Sequence, residues 1–220
     1  MAFISMLFIF LAFAIAVQVI CSIANPGFAQ LAVNDSESFS PLLTIDELLA
    51  PGVQNQTGED TSNLKQYNSS AYNVSIKYPE GWIPSTYGMR QYSDLIGFYS
   101  PLENLSDMFP VKVTISMLLF SQDISLDQYT NSTLAAFNAS GRIDIKESGP
   151  FTLSGYPGYA AVLDYNDTQN GNRMFTTMNI WTSVKQGIYA ITYEGESSKV
   201  KLHLPEFARM VESFHIGANE

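Results

Sequence analysis

NVSIKYPEGWIPS, residues 73–85, contains the strand and the turn from which the fold of this chain can be worked out. Val74, Ile76 and Tyr78 alternate with polar residues, a pattern that is typical of a strand buried on one face. A proline and a glycine stop this alternation just before Trp82. We expect the turn to redirect the chain so that the indole caps the core, with a ligand groove beside Trp82 as the alternative.

Strand and helix patterns continue to the end of the chain. Seven strands are predicted, at residues 72–78, 95–99, 111–120, 143–147, 158–165, 174–182 and 188–193. Ser125 and Gln128 form a capping box that begins a helix over 126–138. Pro205 begins a last helix, whose apolar stripe must dock on the sheet. Strand runs interrupted by one helix and closed by another predict an α+β sandwich with a mostly antiparallel sheet.

The N-terminal segment is predicted to enter a membrane. Residues 1–24 carry no charged side chain, and as a helix they would span roughly 36 Å, enough to cross a bilayer. Gly27 and Ala29 provide the small residues that a signal peptidase reads. Residues 1–29 are therefore predicted to be a cleaved signal peptide, with an uncleaved membrane anchor as the alternative. Either segment directs the rest of the chain out of the cytoplasm.

Composition divides the remainder into two parts. Residues 30–67 are rich in Ser, Asn, Asp, Gln and Gly, which predicts a flexible polar tether with one short amphipathic helix at 41–49. Residues 68–220 carry aromatic and β-branched residues at short intervals. They predict one folded domain that is large enough to bury a core.

Charge and cysteine content exclude several classes of function. The chain has 21 acidic and 11 basic residues, a formal net charge of −10, so binding to nucleic acid is disfavoured. Its single cysteine, Cys21, lies in the N-terminal segment. The predicted domain therefore has no disulfide, no thiolate metal site and no cysteine nucleophile.

The sequence contains eight Asn-x-Ser/Thr sequons, where chance predicts roughly two or three. The excess indicates an extracytoplasmic glycoprotein, although a surface rich in Ser and Asn also generates such motifs. Glycans need exposed backbone, so we expect these sites in loops, at strand edges or on the outer faces of helices. The candidates are Asn34, Asn55, Asn68, Asn73, Asn104, Asn131, Asn138 and Asn166.

Four segments resemble the PsbP family in their order and approximate spacing. They are VSIKYPEGW (74–82), FYSPLEN (98–104), PFTLSGYPGYAAVLDY (150–165) and ITYEGE…LPEFARMVESFHI (191–216). The resemblance covers about residues 72–216, and its strongest elements are the strand-Pro-x-Gly-Trp opening and the Phe-x-Leu-x-Gly-x-Pro-Gly-Tyr hairpin. It implies an α/β/α sandwich, in which a central, mostly antiparallel sheet has helices on both faces.

The resemblance also implies a type of function. Members of the family are extracytoplasmic proteins that dock on membrane complexes or help to assemble them, and the photosynthetic member helps to retain calcium and chloride. Residues 30–71 do not resemble the extension on which ion retention depends, so a non-photosynthetic prokaryotic relative is expected. We expect an exported, membrane-associated binding or assembly module without catalytic activity, whose partner is a membrane or a membrane-protein complex.

The candidate cation ligands are Asp164 and Asp167, in the turn-rich stretch 164–172. Asp164, Asn166 and Thr168 occupy positions 1, 3 and 5 of an EF-hand loop. The glycine and the glutamate that the motif needs at positions 6 and 12 are missing, so an EF-hand is rejected. Weak calcium binding by the two aspartates is left as an alternative to an ordinary hairpin turn.

No catalytic group stands out, and no catalytic residue or cofactor is assigned. His203 and His215 flank the last helix and are not expected to meet. Ser154 lacks the first glycine of a nucleophile elbow. Glu194 and Glu196 could be the paired acids of a hydrolase, but they are more simply explained as residues that end a strand in solvent. A secreted hydrolase that uses dispersed carboxylates is kept as the alternative function.

Overall fold

The computed structural model describes residue 45 and residues 63–86, 93–103, 109–168 and 172–217. Within these ranges the helices are α1 (Leu126–Ser140) and α2 (Leu204–Ser213). The strands are β1 (Leu64–Ser69), β2 (Val74–Pro79), β3 (Ile83–Ser85), β4 (Asp94–Tyr99), β5 (Lys112–Leu119), β6 (Ile143–Leu153), β7 (Tyr156–Asp167), β8 (Arg173–Val184), β9 (Gly187–Glu196) and β10 (His215–Ile216).

The strands form two antiparallel sheets. The larger sheet has seven strands in the order β3-β4-β5-β9-β8-β7-β6, and every neighbouring pair is antiparallel. The smaller sheet has three strands in the order β1-β2-β10. The predicted α+β class and the antiparallel central sheet are confirmed. β2, the strand within the stretch 73–85, belongs to the smaller sheet. The sequence did not predict a second sheet.

The two faces of the large sheet carry separate cores. One face packs against α2 and the small sheet, and this core includes Ile115, Ile191 and Phe207. The other face packs against α1, in a core that includes Phe137 and Trp181. The helices therefore lie on both faces, as expected for an α/β/α sandwich, and the small sheet shares a layer with α2.

The folded part begins before the predicted end of the tether. β1 starts at Leu64 and pairs with β2 along its whole length. Residues 64–69, LKQYNS, have a tether-like composition because β1 is an edge strand whose side chains are exposed or half-buried. Ile45 lies within the short helix predicted at 41–49, and it is helical and buried in the core. Its backbone N–H donates to a carboxylate oxygen of Glu147 at 3.0 Å.

Short sequence motifs determine where the two helices begin and where the two-residue turn between β6 and β7 lies. Ser125 Oγ accepts from the Gln128 N–H at 3.1 Å, and Gln128 Oε1 accepts from the Ser125 N–H at 3.2 Å, so the capping box is confirmed. Pro205 lies in the first turn of α2, as predicted. Ser154 and Gly155 have φ values of 54° and 79°, the left-handed conformation that a two-residue hairpin turn requires. This turn makes β6 and β7 longer than predicted.

Both tryptophans belong to the core, as predicted. Trp82 is 3% exposed and Trp181 is 1% exposed. Trp181 Nε1 donates to Thr130 Oγ1 at 2.9 Å, which fixes α1 on the sheet. The Pro-x-Gly turn redirects the chain as expected, because the Trp82 N–H donates to the Pro79 carbonyl at 3.0 Å.

The Gly158→Ala variant tests how closely β7 approaches β8. A Cβ at this position would lie 2.6 Å from the carbonyl oxygen of Trp181, a backbone atom that cannot move aside. We expect the substitution to lower the free energy of unfolding by about 1–3 kcal/mol, the usual cost of overpacking, as measured by urea denaturation. The control is Gly149→Ala in β6, where a Cβ would meet no atom within 4 Å. Equal losses in the two variants would contradict this packing.

Candidate functional site

Among the residues that the structure describes, most of the exposed large apolar side chains lie at one end of the seven-stranded sheet. Ile83 at the start of β3 is opposite Tyr99 at the end of β4, and Tyr99 is opposite Lys112 at the start of β5. β9 ends and β8 begins at this same end, because Glu196 pairs with Phe175. We call it the apolar end, and its exposed side chains are Ile83, Leu102, Met174 and Leu202.

The positions of Leu102, Met174 and Leu202 along the chain place these three side chains at the apolar end. Leu102 lies three residues after the end of β4, and Met174 is the second residue of β8. Leu202 precedes His203, whose ring packs edge-on against Trp82 with the ring centroids 5.7 Å apart. The Pro-x-Gly-Trp turn therefore forms part of this end.

The opposite end of the sheet carries the other two exposed large apolar side chains of the described residues. Leu119, the last residue of β5, is 70% exposed and lies opposite Gly187 at the start of β9. Tyr72 precedes β2, and its carbonyl accepts from the Tyr189 hydroxyl at 3.5 Å. Leu119 therefore provides a matched position for comparison with the apolar end.

Three cations at the apolar end, Lys65, Arg173 and Lys199, are held in ion pairs. Lys65 Nζ lies 3.3 Å from a carboxylate oxygen of Glu80. Glu196 pairs with both Arg173 and Lys199, and its distance to Lys199 Nζ is 3.5 Å. Because these charges compensate one another, the exposed apolar side chains distinguish this surface more than its charge does.

A polar contact lies beneath the apolar end, at the start of α2. His203 Nδ1 lies 3.6 Å from Glu206 Oε1, in the turn where the helix dipole favours a carboxylate. Burial acts to raise the pKa of Glu206, but the contact with His203, a hydrogen bond to the backbone and the neighbouring Arg209 hold this pKa below its usual value. The Glu206 carboxylate thus helps to hold the imidazole against Trp82.

A second group of charges is buried on the α1 face of the large sheet. Lys112 and Asp94 are each 6% exposed, and the half-buried Glu194 lies directly opposite Lys112 in the β5–β9 ladder. Asp94 accepts from Ser116 Oγ at 2.6 Å. Burial raises the pKa of both carboxyl groups and lowers the pKa of Lys112, while attraction between the lysine and the carboxylates opposes all three shifts.

The prediction that Glu194 and Glu196 end a strand in solvent is wrong. Glu194 accepts from the Tyr165 hydroxyl and faces Lys112, and Glu196 is held in the ion pairs at the apolar end. The sequence carries one sign of this arrangement. Polar residues alternate with apolar ones in β5 (KVTIS) and β9 (ITYEGE), which places the polar side chains on one face of each strand. Only strand pairing brings the two faces together.

Asp164 and Asp167 do not converge on one site. Three residues apart on β7, they lie on opposite faces of the sheet. Asp164 accepts from Thr176 Oγ1 at 2.7 Å and lies 3.9 Å from Lys146 Nζ, whereas Asp167 is buried near Glu194. In the part of the chain that the structure describes, no three His, Cys, Asp or Glu side chains are grouped so as to hold a metal ion. This geometry does not favour calcium binding by the two aspartates together.

A groove of about 470 Å³ lies between the β6–β7 turn and the end of α2. Its polar lining includes Ser154, Glu212 and His215. Ser154 Oγ accepts from the Ile216 N–H at 2.8 Å, so this hydroxyl fixes β10 against the turn. His203 lies at the other end of α2, so the two histidines are separated as predicted.

Five of the eight predicted sequons fall on described residues. Asn73 is half-buried with φ 53°, and its carbonyl accepts from the Gly217 N–H at 2.8 Å. The four exposed asparagines, which lie in β1, α1 and β7, are Asn68, Asn131, Asn138 and Asn166. The three outside the described residues are Asn34, Asn55 and Asn104. Glycosylation itself stays a prediction.

The predicted signal peptide or membrane anchor, residues 1–29, also falls outside the described residues. Among the helices that the structure describes, none is long and apolar enough to cross a membrane. The prediction for the N-terminal segment therefore stays as the sequence gives it.

The architecture is similar to that of several solved structures at low sequence identity. LpqN, involved in cell envelope biogenesis of Mycobacterium tuberculosis, matches with a TM-score of 0.53 and 9% identity over 70% of this chain and 92% of that chain. The cyanobacterial PsbP protein CyanoP from Synechocystis matches with a TM-score of 0.48 and 12% identity over 73% and 96% of the two chains. The Ran-binding protein Mog1p of Saccharomyces cerevisiae matches with a TM-score of 0.46 and 11% identity over 70% and 95%.

No protein-family model matches the sequence, and no curated protein matches it. The structural likeness nevertheless agrees with the fold that the PsbP resemblance implies. At 9% identity, the similarity to LpqN shows the fold alone.

The raised pKa values of Asp94 and Glu194 predict how stability depends on pH. At these groups the folded protein binds protons more tightly than the unfolded chain. Their contribution is therefore complete below the unfolded pKa of about 4 and is lost as the pH rises through the folded values. We expect Glu194→Gln to reduce the fall in the free energy of unfolding as the pH rises above the unfolded pKa of about 4, measured by urea denaturation. Glu80→Gln, in an exposed ion pair, is the control, and an unchanged profile in Glu194→Gln would contradict the shift.

Calorimetry on the full chain tests the calcium alternative. Because Asp164 and Asp167 lie on opposite faces of β7, we expect no heat of binding up to about millimolar calcium. A heat that disappears in Asp164→Asn and persists in Asp123→Asn, at an exposed aspartate elsewhere, would show that Asp164 binds calcium after all.

Proposed function

We propose that this chain is an exported binding or assembly module that works, without catalysing a reaction, at the outer face of a membrane. The observation that supports docking most directly is the apolar end, which exposes four large aliphatic or thioether side chains on a strongly acidic protein. Exposed apolar side chains gathered in one region are typical of contact surfaces. The uncharged N-terminal segment and the excess of sequons support an extracytoplasmic location.

The arrangement of the buried charges supports a structural role for them in preference to catalysis. Asp94 is hydrogen-bonded to Ser116, and Glu194 is hydrogen-bonded to Tyr165 and faces Lys112. A general acid or base must reach the reacting group of a substrate. These side chains instead bind one another within the face of the sheet, which makes a polar network of the kind that fixes strand register.

We further propose that the chain is a non-photosynthetic prokaryotic relative of the PsbP family. The four sequence segments that resemble this family support the relation, and so does the antiparallel sheet with helices on both faces. LpqN, which has a similar fold, is involved in cell envelope biogenesis. A place at the cell envelope would suit the membrane-directed N-terminal segment of this chain.

A secreted hydrolase is the second candidate, and the raised pKa of Glu194 favours it. A carboxyl group whose pKa is raised by burial keeps its proton to higher pH than usual, which is a property of a general acid. In that case Glu194→Gln would abolish hydrolysis of glycoside or ester substrates while the folded domain persists. Screening such substrates with the wild-type and variant proteins, with circular dichroism as the measure of folding, distinguishes this candidate from a docking module.

Cysteine labelling in intact cells that produce the protein tests both the location and the use of the apolar end. In a Cys21→Ser background, Leu102→Cys introduces a thiol at the apolar end and Leu119→Cys introduces one at the opposite end. We expect a membrane-impermeant maleimide to label Leu119→Cys rapidly and Leu102→Cys several-fold more slowly, because docking covers the apolar end. In the purified protein the two positions should label at similar rates.

Two results would overturn this proposal. Labelling of both variants only after cell lysis would place the domain in the cytoplasm. Equal labelling rates in intact cells would show that the apolar end is free there. Mass spectrometry of glycopeptides that contain Asn68 or Asn131 checks the location independently, because both asparagines are exposed.

A further inference from the structure

We infer that residues 1–29 stay uncleaved as a membrane anchor and that the apolar end rests on the lipid surface of the same membrane, an inference that depends on the location proposed above. The exposed side chains of this end belong to isoleucine, leucine and methionine, which partition into hydrocarbon without needing a hydrogen-bond partner. Two lines of evidence favour lipid: the short tether and the spread of these side chains.

The tether keeps the domain close to the bilayer. Only fifteen residues, 30–44, separate the predicted membrane segment from Ile45, which is buried in the core. Fully extended, they reach about 50 Å, so an uncleaved anchor confines the domain to a thin layer above the membrane. Confinement of this kind raises the effective concentration of the lipid surface, and a weak contact then becomes well populated.

The chain also enters the small sheet at the apolar end. The Asn63 carbonyl accepts from the Glu80 N–H at 2.9 Å, and Leu64 lies opposite Pro79. This is the Pro-x-Gly turn that leads to Trp82 and to the exposed Ile83. β1 therefore begins on the side where the exposed apolar side chains lie, whereas the tether itself ends at Ile45, whose N–H donates to Glu147 in β6.

The apolar side chains are spread widely across the sheet end, which suits contact with a bilayer surface. Ile83 on β3 and Met174 on β8 are separated by four strand spacings in the order β3-β4-β5-β9-β8, which is about 19 Å. The groove of about 470 Å³ lies at the opposite end of the sheet, beside Ser154. Scattered aliphatic side chains can each insert into the surface of a bilayer without matching pockets, whereas a protein partner needs a complementary shape.

Charge does not provide the attraction in this arrangement. The chain carries a net charge of −10, and Lys65, Arg173 and Lys199 at the apolar end are held in ion pairs with carboxylates. A contact based on apolar side chains should persist at high ionic strength, whereas a contact based on charge weakens as salt is added. Salt dependence therefore separates the two kinds of attachment.

Fluorescence of the reconstituted full chain tests the inference. In a Cys21→Ser background, an environment-sensitive probe is attached to Leu102→Cys or to Leu119→Cys, and the chain is placed in protein-free phosphatidylcholine vesicles. We expect a blue-shifted emission that spin-labelled lipids quench at Leu102→Cys, and a water-like emission at Leu119→Cys. The shift should persist in high salt and should be lost when Ile83→Asn and Leu202→Asn are added. If this double variant misfolds by circular dichroism, Met174→Asn takes its place.

Three other outcomes would contradict the inference, and they differ in what they imply for the proposed function. Chains that float with the vesicles but show water-like emission at both positions overturn lipid contact and leave the proposed location intact. A shift at Leu102→Cys that requires native membranes, and is absent from protein-free vesicles, identifies a protein partner and also overturns the inference. Failure of the full chain to float overturns membrane association itself, which is part of the proposed function.

Discussion

Burial of the large sheet between two apolar layers is the constraint on which the rest of the structure depends. On one face Tyr193 stacks on Phe207 of α2, with the ring centroids 4.4 Å apart, and the Tyr193 hydroxyl donates to the Val200 carbonyl. On the other face Trp181 is hydrogen-bonded to Thr130 of α1. Because the only cysteine of the chain lies in its N-terminal segment, no disulfide supports the fold and side-chain packing must hold these layers together.

The same constraint determines where charge can be placed. α1 covers an apolar part of its face of the sheet, while Lys112, Asp94 and Glu194 lie on the same face beyond the core around Trp181. Burying a lysine with two carboxylates gives little net stability, since desolvation opposes the attraction between them. Their contribution is to specificity, because any other register of β5 against β9 would leave a buried charge without its partner.

Function in this fold depends on surfaces and not on the architecture. The similarity to LpqN at 9% identity shows the fold alone, so the sandwich itself indicates no activity. What distinguishes this chain is the combination of a tether, an acidic surface and an apolar end in which the charges are paired. In the proposed function, tethering and docking are two parts of one physical arrangement, in which a short linker would make a weak contact sufficient.

The sequence by itself determined the local structure. Alternation placed most strands, the Ser125 capping box placed α1, and the Pro-x-Gly turn predicted the buried position of Trp82, because each of these depends on residues that are neighbours along the chain. Only the tertiary structure decided that β2 lies in a second sheet, that Glu194 faces Lys112, and that residues from β3 to the start of α2 form one apolar end. These features depend on which distant strands pair, and periodicity within a strand carries no information about its partner.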